Sequence, residues 1–353
     1  MEGPIFKVDR ALLLDGIVGG LALVVWVFLF PRLLAADNYG LFLVVVACAV
    51  ILAHAALCFI DRRGMGDPDP CSGIEEWNDH STRLLPRVSS LVLPMGRACF
   101  LVGNLEVLLI AAMLDGGLKE AAHYGVAFCL GAFVGVPGRI LGPRLKGALE
   151  KGRAAHDVDE GHALIRAFTL LTSLIGGYVL LLLWILLDDF YEALPSAYAS
   201  AAQVALIVGT GYLAANVLRV VAQADHGSGD ERSPFLIGTV ASLLYISVAF
   251  VMVHEFGVQG AGWATLLALI ARFAMPAVRG LRSYGASLLE WRVIVVLVLV
   301  GVLGLIIPWI PLSGSTITDV LMRNSMATIL FWSAAHVLGL LRGLGGLAPY
   351  LRL

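Results

Sequence analysis

Charge is what this sequence has least of. Asp, Glu, Lys and Arg make up 14% of its 353 residues, with a net charge of −2, where soluble domains carry about 25% charged residues. That balance excludes a nucleic-acid binder and a strongly basic surface protein. Cysteine is also scarce. Cys48, Cys58, Cys71, Cys99 and Cys129 show no CxxC or Cys/His spacing, so neither a disulfide framework nor a metal site is expected. No P-loop, HExxH or GxSxG motif occurs. The cluster Gly343-Leu-Gly-Gly346 lacks the Lys-Ser/Thr of a phosphate loop. No cofactor and no catalytic residue are therefore expected.

What the chain has in abundance is apolar length. Hydrophobic residues reach 59% and mean hydropathy is +0.87. The apolar bands run to about 20 residues, the length of a membrane-crossing helix. The expected class is all-α, a polytopic membrane protein with about ten spans: 11–33, 40–61, 88–113, 123–143, 164–187, 197–219, 233–254, 258–279, 292–312 and 326–345. The first is too long to be a cleaved signal peptide and no small-residue cleavage site comes after it. Span four is interrupted by Pro137 and Arg139, and a bend is expected there.

Basic residues set an expected orientation. Lys7, Arg10, Arg62, Arg63, Arg83, Arg87, Arg144, Lys146, Lys151, Arg153, Arg166, Arg219, Arg232, Arg279, Arg282, Arg292, Arg342 and Arg352 fall on one side. Arg32, Lys119 and Arg323 fall on the other, a bias of 18 to 3. The positive-inside rule then places both termini in the cytoplasm. Segment 62–87 reads as a cytoplasmic loop or short interfacial helix and 144–163 as a polar helical extension joining spans four and five. The loops 34–39, 114–122, 188–196, 255–257 and 313–325 read as external. All are short, which disfavours a polymerase or glycosyltransferase.

Two external hairpins repeat. Leu33-Leu-Ala-Ala-Asp-Asn-Tyr-Gly40 and Leu118-Lys-Glu-Ala-Ala-His-Tyr-Gly125 share four of eight residues at an offset of 85. A plain account makes each Tyr an interfacial anchor and each Gly a close-packing residue. The stretch Phe30-Pro-Arg-Leu-Leu-Ala-Ala-Asp-Asn-Tyr-Gly-Leu-Phe42 also resembles the first hairpin of the polysaccharide and lipid-linked oligosaccharide flippases. These belong to the MATE-like exporter superfamily (multidrug/oligosaccharidyl-lipid/polysaccharide). Glu106-Val-Leu-Leu-Ile-Ala-Ala-Met-Leu114 with Glu120-Ala-Ala-His-Tyr-Gly125 resembles the opening of that family's second lobe. Pro137 to Leu149 and Phe256-Gly-Val-Gln-Gly-Ala-Gly-Trp-Ala264 resemble later motifs of the same lobe, in the family's order.

The resemblance implies an abbreviated two-lobe fold. Residues 1–61 would be a two-helix remnant of the first lobe and 62–87 a cytoplasmic loop. Residues 88–285 would form a six-helix second lobe and 286–353 a C-terminal helix pair. Four helices of the first lobe would be missing, since 85 residues separate motifs that six helices would set about 200 apart. The implied function is translocation of a lipid-linked oligosaccharide or sugar polymer for polysaccharide biosynthesis and export across a bacterial inner membrane. With no ATP-binding motif, such transport would run on a gradient or with a partner. The alternative is a non-transporting membrane scaffold of a polysaccharide synthesis or secretion complex. Expected partners are the lipid-linked sugar or polysaccharide, membrane lipids, and glycosyltransferase or polymerase subunits or a second copy of the chain.

A phosphate-bearing headgroup needs a polar or cationic cavity, and Arg suits phosphate because its planar fork meets two oxygens. Ionisable groups at membrane depth are costly and mark candidate sites. They are Asp15, His54, Arg97, Glu106, Arg139, Arg272 and His336. Arg97, Asn104, Arg272 and Arg139 are the substrate-binding candidates. Glu106 stands where the family carries an acidic residue and is the coupling or gating candidate. On a continuous span three, Arg97 shares a face with Asn104 and opposes Glu106. His54 and His336 are read as packing residues, and Asp15 as interfacial.

Overall fold

The computed structural model describes residues 34–64, 103–154, 158–193, 198, 201–222, 232–284, 290–310 and 316–347. Spans 11–33 and 88–102, the loop beyond Gly64, Asp15 and Arg97 lie outside these residues, as does the side chain of His54. Among the described residues the chain is almost entirely helical and has no strand. Its α-helices are α1 (Ala36–Gly64), α2 (Asn104–Met113), α3 (Gly117–Ala132), α4 (Val136–Ala154), α5 (Val158–Ala193), α6 (Ala201–Ala222), α7 (Arg232–Tyr284), α8 (Trp291–Ile306) and α9 (Thr316–Val337). Five helical stretches are long and apolar enough to cross a membrane: Gly117–Gly142, Gly161–Leu187, Ala201–Ala222, Leu244–Arg282 and Trp291–Trp309.

The stretch Leu244–Arg282 has 39 residues, about 58 Å of helix against a hydrocarbon core of about 30 Å. It cannot cross as one rod. Gly257, at φ 59° and ψ −137°, breaks the helical path. Three residues on, Gly260 lies against the backbone of Met252. In a straight helix those residues would be about 12 Å apart along the axis, so the chain folds back at Gly257. The two arms correspond to the expected spans 233–254 and 258–279.

The described residues form two compact units. In the first, α1, α2 and α3 join residues 232–265, and α1 packs along α2. A Cβ on Gly40 would overlap the Leu118 carbonyl oxygen, and one on Gly125 would overlap the Leu43 side chain. Both repeated glycines are therefore close-packing residues, as expected. The tyrosines are not anchors at a water interface: Tyr39 and Tyr124 are each 0% exposed. Leu118 touches Gly40, and Leu114 is the neighbour of Gly257. The segments expected to be loops at 34–39, 114–122 and 255–257 thus meet at one end of this unit, but 36–39 and 117–122 are already helix, the first turns of α1 and α3.

In the second unit, α5 is the central helix, with α4, α6, α8, α9 and the 3₁₀ segment Leu341–Leu347 packed on it. Its core includes Leu145, Leu149, Phe168, Val220, Ala277 and Leu347. The segment expected to be a polar extension is helical up to Ala154 and again from Val158. It also lends Ala148 and Leu149 to this core. The bend expected in span four is present, as a 3₁₀ turn over Phe133–Gly135 just before Pro137. Gly131, Gly135 and Gly138 lay one small-residue face against Val208, Tyr212 and Asn216 of α6.

The last expected span, 326–345, is displaced. Helix α9 already begins at Thr316, with Asp319 in its first turn, where a carboxylate favours the positive helix end. It stops at Val337 because Gly339 takes φ 68°. The Leu340 amide then donates to the Ala335 carbonyl at 3.0 Å, a Schellman-type close. His336 is exposed in the last turn.

Candidate functional site

Glu106 is the polar centre of the first unit. It occupies the third position of α2, where an acidic side chain can satisfy an amide left unpaired at the helix start. Its Oε2 accepts from the Gly103 backbone N–H at 2.7 Å. Gly103 holds φ 92°, and the Phe128 ring of α3 fills the space that a Cβ there would need. Only glycine meets both conditions.

The other carboxylate oxygen looks to α7. Thr265 donates its hydroxyl to Glu106 Oε1 at 2.8 Å. The same Thr265 oxygen lies 2.7 Å from the hydroxyl of Tyr124 on α3. The hydroxyl of Tyr245, on the first arm of α7, acts on the same carboxylate. Tyr124 is backed by Phe128, with ring centroids 5.8 Å apart. Glu106 is 0% exposed and Thr265 is equally buried. The result is a row of oxygens, Tyr124–Thr265–Glu106, closed off by aromatic rings.

This geometry corrects the expected polar stripe on span three. A helix continuous from Arg97 to Glu106 would have put Arg97 and Asn104 on one face. The positive φ of Gly103 breaks that helix, and α2 starts only at Asn104. Asn104 is itself buried, at 8% exposure, within the packed start of α2. Arg97 lies outside the described residues.

The remaining candidates belong to the second unit. Arg139 is half-buried, its guanidinium 5.9 Å from the Tyr212 ring centroid. Arg272 is exposed on α7 and lies 5.5 Å from the ring of its neighbour Phe273. Arg219, at the end of α6, lies 4.8 Å from that same ring. Two guanidinium groups thus lie within 6 Å of the centre of one aromatic ring, an arrangement with favourable cation–π attraction. Beside the Pro137 bend, the buried Asn216 amide donates to the Val134 carbonyl.

Reading charged residues one at a time misses Tyr124, Thr265, Tyr245, Asn216 and the site role of Arg219. Thr265 and Asn216 do leave a signal, being polar side chains deep in apolar spans. Tyr124 is visible as part of a repeat, where it reads as an anchor. No family model matches the chain, and no curated protein and no solved structure matches it.

Proposed function

We propose that this chain is an integral membrane protein of the flippase type, which moves a phosphate-bearing, lipid-linked sugar across a bacterial inner membrane. The observation that carries the reading is the pair Arg219 and Arg272 around Phe273. Counted from the turn at Gly257, Arg272 lies about 22 Å along its helix. With that turn external, it sits in the cytoplasmic half of the bilayer, where a donor assembled in the cytoplasm is first met. A guanidinium offers phosphate two parallel donors, and the neighbouring Phe273 ring attracts the cation.

The order of the flippase-like motifs also supports the reading. So does the close packing of both Tyr-Gly pairs, Tyr39-Gly40 in the first turns of α1 and Tyr124-Gly125 midway along α3. In this reading the chain has about ten spans with both termini in the cytoplasm. The loops gathered round Leu114, Leu118 and Gly257 then form the external end of the first unit. Arg139 and Arg97 are further cationic candidates, with Glu106 coupling or gating the movement.

Reconstitution into vesicles with a fluorescent lipid-linked oligosaccharide tests the proposal, with loss of lumenal-leaflet protection as the readout. Arg272→Gln should slow translocation by about 10- to 100-fold, the equivalent of one charged hydrogen bond of about 1.5–3 kcal/mol. Arg272→Lys should recover part of the rate. Wild-type protein that inserts fully and moves no lipid-linked sugar would refute transport and favour the scaffold reading.

A further inference from the structure

We infer that Glu106 is a proton-binding site whose charged and neutral forms are both accommodated by the hydroxyls of Thr265 and Tyr124. The inference gives chemical form to the coupling role proposed for Glu106, while its geometry stands whether or not the chain moves sugar.

When Glu106 is ionised, Gly103 N–H donates to Oε2 and Thr265 O–H to Oε1. Thr265 has one proton, and it is committed to Glu106, so Tyr124 must be the donor across the 2.7 Å contact between them. Every donor in the row then points at the carboxylate. When Glu106 is neutral, the row can reverse without moving a heavy atom. Oε1–H donates to Thr265, Thr265 O–H donates to Tyr124, and Gly103 N–H still reaches Oε2. Both states fit the same separations of 2.7–2.8 Å.

Protonation takes one proton from a hydronium ion: an O–H bond of the hydronium breaks, leaving water, and one forms at Glu106 Oε1. Thr265 and Tyr124 keep their own protons and only rotate their O–H bonds. There is no oxidation or reduction, and release to water is the reverse.

The surroundings suit exchange better than a fixed ion pair. The groups acting on the carboxylate are Thr265, Tyr245 and the backbone amides of Gly103 and Glu106. No cation among the described residues joins them. Among the described residues, the titratable groups at the site are Tyr245 from α7 and, through Thr265, Tyr124 from α3, while α1 packs on α2 and contributes no group acting on the carboxylate. A buried carboxylate paired with an arginine would stay charged. One surrounded by hydroxyls can change state in place.

The test is infrared difference spectroscopy on the full chain in lipid vesicles, titrated across pH in ordinary and heavy water. Wild-type protein should show a protonated-carboxyl stretch that grows as pH falls, moves on deuteration and is lost in Glu106→Gln. Thr265→Val removes the acceptor of the Oε1–H bond and should shift that band to higher frequency. Thr265→Ser should restore it. Should Glu106→Gln fail to fold, the Thr265 pair still decides the matter. A carboxyl band absent at every pH, or present and indifferent to Thr265→Val, overturns the inference. Because the readout needs no substrate, a chain that moves no sugar can still pass this test.

Discussion

Asn216 offers the most direct check on the packed interior of the second unit. Its amide donates to the Val134 carbonyl beside the 3₁₀ turn Phe133–Gly135, and it is 2% exposed. The need for that donor comes from Pro137. Lacking an N–H, Pro137 cannot close the α-helical bond to Phe133, and the Val136 amide takes that carbonyl in the tighter turn. Val134, one residue on, is left to be satisfied from α6. Interhelical hydrogen bonds in membranes contribute about 0.6–1.7 kcal/mol. Asn216→Ala should therefore destabilise the chain by at least that much, plus the cost of the void it leaves. A cycle with Pro137→Ala separates the two contributions. With the proline gone, the helix can straighten and the Gly138 amide can reach Val134 itself. The cost of Asn216→Ala should then fall by about 0.6–1.7 kcal/mol. The assay is reversible unfolding of the purified protein in mixed micelles on titration with a denaturing detergent. Additivity of the two substitutions to within about 0.3–0.5 kcal/mol would refute the compensation.

Glycine substitutions probe the packing in the same assay. Gly40→Ala should cost about 1–3 kcal/mol, because its Cβ meets the Leu118 backbone. Gly301→Ala, with open space around it, should be neutral or stabilise by up to about 1 kcal/mol through helix propensity. Gly257→Ala should cost about 1–3 kcal/mol, since φ 59° with ψ −137° is a glycine conformation; full wild-type stability would refute the reversal there. In a background without native cysteines, a cysteine at the exposed Asp115 should react with an impermeant thiol reagent from outside intact cells. One at position 66 should not, and labelling of position 66 from outside would refute the proposed orientation.

Much of the fold is legible because hydrophobic length and punctuation are local properties. Pro137 announces the bend that the 3₁₀ turn carries out. The run Phe256-Gly-Val-Gln-Gly260 announces a reversal, and Gly257 makes it. The repeated Tyr-Gly pairs announce close helix contacts at Gly40 and Gly125. The failures are also physical. Hydrophobicity alone makes span three one helix, because it does not reveal that Gly103 turns to positive φ so that Glu106 can cap the helix beginning at Asn104. Apolar content puts the last span at 326–345, whereas α9 is set by Asp319 at its start and Gly339 at its end. Tyr39 and Tyr124 look like interface residues from composition, yet each is buried in the first unit.

The candidate site is harder to see because its members are far apart in the chain. Thr265 lies 159 residues from Glu106 and 141 from Tyr124, beyond any helical period. What links them is an obligation of the apolar environment: a polar group in hydrocarbon must find its partner in another span. Glu106 alone reads as a costly charge at membrane depth, and Arg97 and Arg272 stand out separately, as cations for a phosphate headgroup. The Thr265 hydroxyl and the Gly103 amide meet part of Glu106's need for partners directly, and Tyr124 acts through Thr265; in the proposal above, such neutral partners let the carboxylate change its protonation state, which an arginine would oppose. The chemistry available to this unit is therefore set by Thr265 and the two tyrosines as much as by Glu106 itself.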